Sequence, residues 1–235
     1  MASSFRQQSG VDGLATAYGR LAGLFPAYER HLRLSVQRMG LAGDGPGLRL
    51  LDVGCGTGTS TRALLSVAPR ARVVGLDASL DMVVEARAKE WPGTVRFIRG
   101  RVEQFAEAGI SRHFDGVFVA YTAHGLDELD RALEALFRVM RPGAPIAVHD
   151  CSVADSVRAK LLWSAVCWGV VVPVGAAMTG HPEPYGQLWR QVRAFDDVVG
   201  FERRLARAGF VDVRSQTMPG WERGIVYTWL GRRPG

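Results

Sequence analysis

The sequence predicts an α/β fold, a mostly parallel sheet with helices on both faces. Short apolar runs alternate with stretches of helical spacing from residue 48 to 149, the pattern of strands joined by right-handed helical crossovers. The first run, Leu48 to Val53, enters a turn with glycine at every second position, Gly54, Gly56 and Gly58. The second run, Arg72 to Leu76, stops at an acidic residue, Asp77.

The elements follow in order. Apolar residues recur at helical spacing from about Leu14 to Met39, through Leu21, Tyr28, Leu32 and Val36. On that spacing His31 falls on the polar side. Gly-Asp-Gly-Pro-Gly (43–47) punctuates the chain before the first strand. The spacing then predicts strand 48–53, helix 58–67, strand 72–76, helix 80–90 capped by Ser79, and strand 95–98. A short helix near 102–108 leads to strand 114–120, helix 127–140 ended by Arg141-Pro142-Gly143, and strand 144–149. Beyond Asp150, Leu161 to Met178 is uncharged and mostly apolar, long enough to approach a membrane span but interrupted by Gly169, Pro173 and Gly175. A helix at about 198–208 and strands 211–216 and 225–230 complete the reading.

Glycines without a Cβ let a backbone turn sharply and approach a ligand. In open α/β sheets, ligands sit beyond the carboxyl ends of the strands. A dinucleotide fingerprint, G-x-G-x-x-G, would put its third glycine at Thr59, so the spacing excludes it. No Lys-Ser or Lys-Thr pair follows, which excludes a P-loop. A carboxylate at the tip of the second strand suits paired ribose hydroxyls, the role assigned to Asp77.

With 235 residues the chain fits a single α/β domain. Its formal charge is +6, but the arginines are dispersed, Lys89 and Lys160 are the only lysines, and no nucleic-acid motif accompanies them. Anionic lipid is the better partner for that charge, and nucleic acid is not expected. Cys55, Cys151 and Cys167 form no C-x-x-C pair, so no disulfide framework or zinc site is expected. The first residues lack the apolar core of a signal peptide, and the expectation is a cytoplasmic enzyme.

Four stretches carry a resemblance: Leu-Leu-Asp-Val-Gly-Cys-Gly-Thr-Gly (50–58), Val-Gly-Leu-Asp-Ala-Ser (74–79) with Met82 after it, Phe-Asp-Gly-Val-Phe-Val (114–119) and Leu-Phe-Arg-Val-Met-Arg-Pro-Gly (136–143). In these the chain resembles the class I S-adenosylmethionine-dependent methyltransferases, and more narrowly the ubiquinone/menaquinone biosynthesis C-methyltransferases. The tail from Gly224 to Pro234 is similar to that family's last strand. The resemblance implies a Rossmann-like seven-stranded, mostly parallel sheet with an antiparallel last strand and a helical lid after strand five. It divides a single domain into an N-terminal helical cap (1–45), a cofactor core (46–150), an apolar lid (151–197) and a C-terminal helix with strands (198–235).

The cofactor implied is S-adenosyl-L-methionine. Gly54, Gly56, Thr57 and Gly58 would approach its methionine portion, with Asp52 anchoring the turn, Asp77 on the ribose and Ala120 at the end of strand four. On the adenine side the family's Gly-Asp-Ala is replaced by Gly100-Arg101-Val102-Glu103, leaving the Val102 N–H or the Glu103 carboxylate to address the ring. The family's Arg-Asn pair after strand four is replaced by His124-Gly125. An imidazole there can take a phenolic or enolic proton, which makes His124 the candidate base; the alternative is a loop residue capping the next helix. Tyr18, Tyr121, His149, Asp150, Trp163, His181 and Tyr185 are the candidate substrate contacts.

The expected reaction is methyl transfer to a small apolar, phenolic or polyketide-like acceptor, with carbon methylation ahead of oxygen methylation, as in secondary metabolism. A non-methylating S-adenosylmethionine-binding cyclase or regulatory protein of the same fold is the alternative. Peripheral membrane contact and a homodimer stay open, and no metal is expected because no carboxylates cluster near the acceptor.

Overall fold

A computed structural model of the chain describes residues 27–105, 110 and 113–235. Its seven strands are β1 (Arg49–Val53), β2 (Arg72–Asp77), β3 (Val95–Arg99), β4 (Gly116–Ala120), β5 (Pro145–Cys151), β6 (Val211–Thr217) and β7 (Val226–Arg232), in the order β3-β2-β1-β4-β5-β7-β6. The first five pair in parallel, while β7 runs antiparallel to both β5 and β6. Strand order reverses between β1 and β4, and that switch point opens a crevice beyond their carboxyl ends.

Among the described residues eight α-helices surround the sheet: α1 (Tyr28–Arg38), α2 (Thr59–Val67), α3 (Leu80–Arg87), α4 (Leu129–Val139), α5 (Val157–Val166), α6 (Val172–Thr179), α7 (Glu183–Ala194) and α8 (Val198–Arg207). The apolar faces of the sheet explain why both sides are covered. Leu51, Val53, Val117 and Val119 pack with Leu133 and Leu136 of α4 and Phe201 and Leu205 of α8. Leu50, Val73 and Phe118 pack with Leu32 and Val36 of α1 and Leu64 of α2. Trp229 of β7 is fully buried among Phe195, Phe201 and Tyr227, and its indole N–H donates to the Val198 carbonyl.

Several boundaries differ from the sequence reading. Phe114 makes only an isolated bridge to Met140, so β4 starts at Gly116. β5 runs on to Cys151 because β7 pairs with it along its whole length, which places His149 and Asp150 inside a buried strand. The short helix after β3 is one 3-10 turn, Val102–Gln104. Residues 1–26, including Tyr18 and most of the expected N-terminal cap, lie outside the described residues.

The largest correction concerns residues 157–179. Gly169, Pro173 and Gly175 do not interrupt the helix. α5 continues through a π turn, Cys167–Val171, into α6, and the Val172 N–H reaches the Cys167 carbonyl. Proline lacks an N–H and collides with the carbonyl four residues back, and the wider π turn makes room for it.

Replacing Trp229 with alanine should lower stability by about 3–5 kcal/mol in urea unfolding. Trp221→Ala, at a half-exposed position, should stay within about 0.5 kcal/mol of the parent.

Candidate active site

The three glycines of the first turn do different work. All have positive φ, 67° at Gly54, 51° at Gly56 and 95° at Gly58. A Cβ on Gly54 would lie 1.9 Å from Thr122 Oγ1, and one on Gly58 would lie 2.5 Å from the Trp91 ring. Packing therefore demands both. Gly56 alone opens outward, its nearest neighbour the Met82 sulfur at 4.0 Å. Asp77 clasps the turn from β2: its Oδ2 accepts from Gly56 N (2.9 Å) and its Oδ1 from Ser79 N (2.9 Å). Burial raises the Asp77 carboxyl and these two N–H bonds pull it back down.

Asp52 works behind the turn. It is fully buried, and its Oδ2 accepts from Ser60 Oγ (2.7 Å) and Thr61 Oγ1 (2.5 Å), fixing the start of α2 to β1. Burial pushes its carboxyl up to about 7. It lines none of the cavities described below and acts on the turn from behind.

In front of the turn lies a cavity of about 310 Å³, lined by Gly54, Gly56, Thr57, Asp77, Met82, Ala120, Tyr121, Thr122, His124 and Tyr185 among others. A bare backbone at Gly56, a half-buried carboxylate at Asp77 and the Tyr185 hydroxyl, buried without a hydrogen-bond partner among the described residues, fit a nucleoside with a ribose diol. The adenine-side candidates stand outside this lining. Val102 is buried, Glu103 is exposed, and neither lines this cavity, nor does Gly58. Met82, placed by the Ser79-capped α3, does line it.

A second cavity of about 110 Å³ adjoins the first, on the scale of the ~150 Å³ apolar cavities that take a benzene ring. Trp163, Val166, Val171, Val192, Trp221, Ile225 and Val226 give it an apolar wall. Tyr28, Tyr121, His124 and Leu188 line both cavities. Tyr28 and Tyr121 stack at 5.3 Å with planes 11° apart. Tyr121 has φ 51°, a left-handed conformation rare for an aromatic residue and found where surrounding structure enforces it.

His124 stands at this junction in a 3-10 turn, Ala123–Gly125. It does not cap α4, whose N-cap is Glu128. Its Nδ1 lies 2.6 Å from Asp150 Oδ1, and its backbone N–H donates to Asp150 Oδ2 at 3.2 Å. Asp150 is fully buried and also accepts from Cys151 N at 2.7 Å. A carboxylate only accepts, so the imidazole proton belongs on Nδ1 and Nε2 is left as the basic nitrogen. Asp150 thus orients His124 and does not face a substrate, a correction that sequence spacing did not reveal. The signal was available in the parallel register: Ala120 pairs with His149, which brings the loop after β4 alongside Asp150.

The remaining candidates separate. Trp163 lines the apolar cavity, whereas Tyr185 lines the nucleoside cavity only. His149 is fully buried behind Tyr121, edge-on to its ring at 4.7 Å, with Nδ1 2.8 Å from Ser35 Oγ; burial holds it neutral down to about 3. His181 is exposed and lines neither cavity. His31 is not on a solvated face: it is buried and paired with Glu222. Outside His124 a solvent-open hollow of about 530 Å³ is edged by Asp127, Glu128, Arg131 and Arg204. Though larger, it lacks the glycine turn and any enclosed apolar wall. Among the described residues no three His, Cys, Asp or Glu side chains gather as a metal site.

Comparisons with known proteins bear on the family and the fold. A family model described as a methyltransferase domain matches residues 50–143. The chain is 33% identical over 196 residues to the ubiquinone/menaquinone biosynthesis C-methyltransferase UbiE of Bradyrhizobium diazoefficiens, covering 81% of this chain and 75% of the relative. It is 28% identical over 170 residues to the protein of that name from Rhizobium etli, covering 70% of this chain and 65% of the relative. In fold it is similar to phosphoethanolamine N-methyltransferase 2 of Haemonchus contortus, solved in complex with S-adenosyl-L-methionine: TM-score 0.68, 15% identity, covering 98% of this chain and 59% of that one.

The buried Asp52 gives a pH signature. Its folded-state value near 7 lies above the ~3.9 of an unfolded aspartate, so the folded state holds the proton more tightly and stability falls as pH rises from about 4 to about 7. His149 has the opposite sign, losing stability as pH falls below about 6.5. The comparison is therefore between variants. Asp52→Asn, which keeps an acceptor for Ser60 and Thr61, should lose less stability than the parent between about pH 4 and about pH 7 in urea unfolding. An unchanged pH slope would contradict this.

Proposed function

We propose that this chain, which belongs to the class I S-adenosylmethionine-dependent methyltransferases, methylates a ring carbon of a small apolar phenol or quinol. The observation that carries the reading is the junction at His124, an imidazole held by buried Asp150 where the nucleoside cavity meets the apolar one. The similarity to the UbiE proteins, named for carbon methylation in quinone biosynthesis, supports carbon over oxygen as the site of transfer.

The cofactor, when bound, supplies a methyl group already activated on a sulfonium. The chain therefore has to bind, align, exclude water and move a proton. Gly56 admits the cofactor against the backbone and Asp77 accepts from its ribose hydroxyls. Tyr28 and Tyr121 form the shared wall that orients a flat acceptor. His124 Nε2 takes the acceptor's hydroxyl proton, concentrating electron density on the neighbouring ring carbon. His124 then returns the proton to the oxygen while that ring carbon, having gained the methyl, loses its own proton to solvent. Asp150 keeps the imidazole in the required tautomer throughout. Residues 151–197, with α5 to α7, serve as the lid that closes the apolar side of a single domain.

The outer face of that lid favours contact with a membrane surface. Val157, Leu161, Ala165, Trp168, Pro173 and Ala177 are exposed at intervals of three to five residues, and Arg158 is the only exposed charged residue between 157 and 179. The 23-residue helix Val157–Thr179 is long and apolar enough to cross a membrane by length and composition, and only 28% of its most apolar stretch is buried. We place the enzyme in the cytoplasm, lying on an anionic bilayer from which a lipophilic acceptor is drawn.

His124→Ala should lower turnover about 100-fold or more, read as S-adenosylhomocysteine released with an alkyl-substituted hydroquinone, and Asp150→Asn should also lower it. Unchanged turnover in His124→Ala would remove it as the base. Asp77→Asn should weaken cofactor binding about tenfold or more in calorimetry. Sedimentation with phosphatidylglycerol vesicles should be lost in Leu161→Glu/Trp168→Glu. A dimer in solution that this pair dissociates, with no vesicle binding by the parent, would instead give the face to a second copy.

A further inference from the structure

One carboxylate stands in the apolar wall. Glu222, at the end of the 3-10 turn Gly220–Glu222, lines the second cavity on the part it does not share with the nucleoside cavity. Its companions there are Cys151 and apolar or aromatic side chains, and it is the only acidic residue on that wall among the described residues. It is 6% exposed. Its charge is met from behind by His31 of α1, 1% exposed, whose Nδ1 is in close ion-pair contact with Glu222 Oε2. His31 Nε2 is buried with no hydrogen-bond partner among the described residues. Burial raises the Glu222 carboxyl, and His31 opposes that rise.

The fold alone gives no reason for this pair. Two apolar side chains of similar volume generally fill such a place with equal or better stability, whereas a buried ion pair has to recover the desolvation of both charges. Glu222 is also part of a cavity wall, while His31 is packed behind it. A carboxylate there, fixed by a partner on one side and facing an apolar hollow on the other, is a hydrogen-bond acceptor awaiting a donor.

We propose that Glu222 is a second anchoring site for the acceptor, taking a hydrogen bond from a hydroxyl or N–H that the acceptor carries apart from the oxygen at His124. The acceptor class is then a ring with two separated donors, one meeting His124 and the other Glu222. This rests on the reading that the apolar cavity holds the acceptor. A site built around a hydrogen-bonding group discriminates strongly against an analogue that lacks it, because its own polar group is left unpaired.

The test uses the full chain saturated with S-adenosylhomocysteine, so that no transfer occurs, and measures binding of hydroquinone and of 1,4-dimethoxybenzene by calorimetry. The parent should prefer hydroquinone by about tenfold or more. Glu222→Leu should lose most of that preference, and so should His31→Leu/Glu222→Leu, which removes both charges together and guards against misfolding of the single variant. His124→Ala should keep a part of it. S-adenosylhomocysteine affinity should not change in the Glu222 variants, since neither residue of the pair lines the nucleoside cavity. A preference retained at the parental level in the Glu222 variants overturns this proposal alone, as does its complete loss in His124→Ala. Failure of both probes to bind the parent overturns it together with the acceptor reading.

Discussion

The hydrogen bond between His124 and Asp150 is the constraint on which the rest of the site depends. It crosses from the loop after β4 to a fully buried position in β5, so it exists only because those strands are parallel neighbours in register. Asp150 accepts from the His124 ring, from its backbone N–H and from Cys151 N. One buried carboxylate thereby fixes the loop, the ring and the tautomer at once. The left-handed Tyr121 lies at the same strand end, and its N–H donates to the His149 carbonyl at 2.7 Å. The strained turn and the imidazole are two consequences of one junction.

Around it the molecule separates its tasks by sheet position. β1 and β2 supply the nucleoside cavity through Gly56 and Asp77, with Asp52 and Asp77 bracing the turn from behind and beside it. The antiparallel β7 and the turn before it supply Ile225, Val226 and Glu222 to the apolar cavity. α1 contributes to both levels. Tyr28 stacks in the shared wall, while His31, Ser35 and Arg38 form a polar layer beneath it with Glu222, His149 and Thr228.

What was legible in the sequence was local. The glycine spacing and the acidic residue after β2 express backbone geometry within a few residues, and they located the nucleoside cavity. The alternation of strands and helices gave the parallel core because each element has its own period. Pairings between distant segments were not legible. His31 reads as solvated from helical spacing, since nothing in that spacing says that the turn before β7 covers it. Asp150 reads as a rim residue because the apolar run stops before it, whereas pairing with β7 carries the strand on to Cys151. Asp52 and Gly58 stand in the recognisable motif yet serve packing, a distinction that needs the positions of Ser60, Thr61 and Trp91. Pro173 reads as a break because the π turn that accommodates it has no sequence signature of its own.

The most direct measurement is a crystal structure of the chain with S-adenosylhomocysteine and an alkyl-substituted hydroquinone. The nucleoside should lie against Gly56 and Asp77, and the ring in the apolar cavity with one oxygen hydrogen-bonded to His124 Nε2. A ring lodged in the outer hollow beside Arg131 and Arg204, or an acceptor oxygen out of reach of His124, would contradict that arrangement.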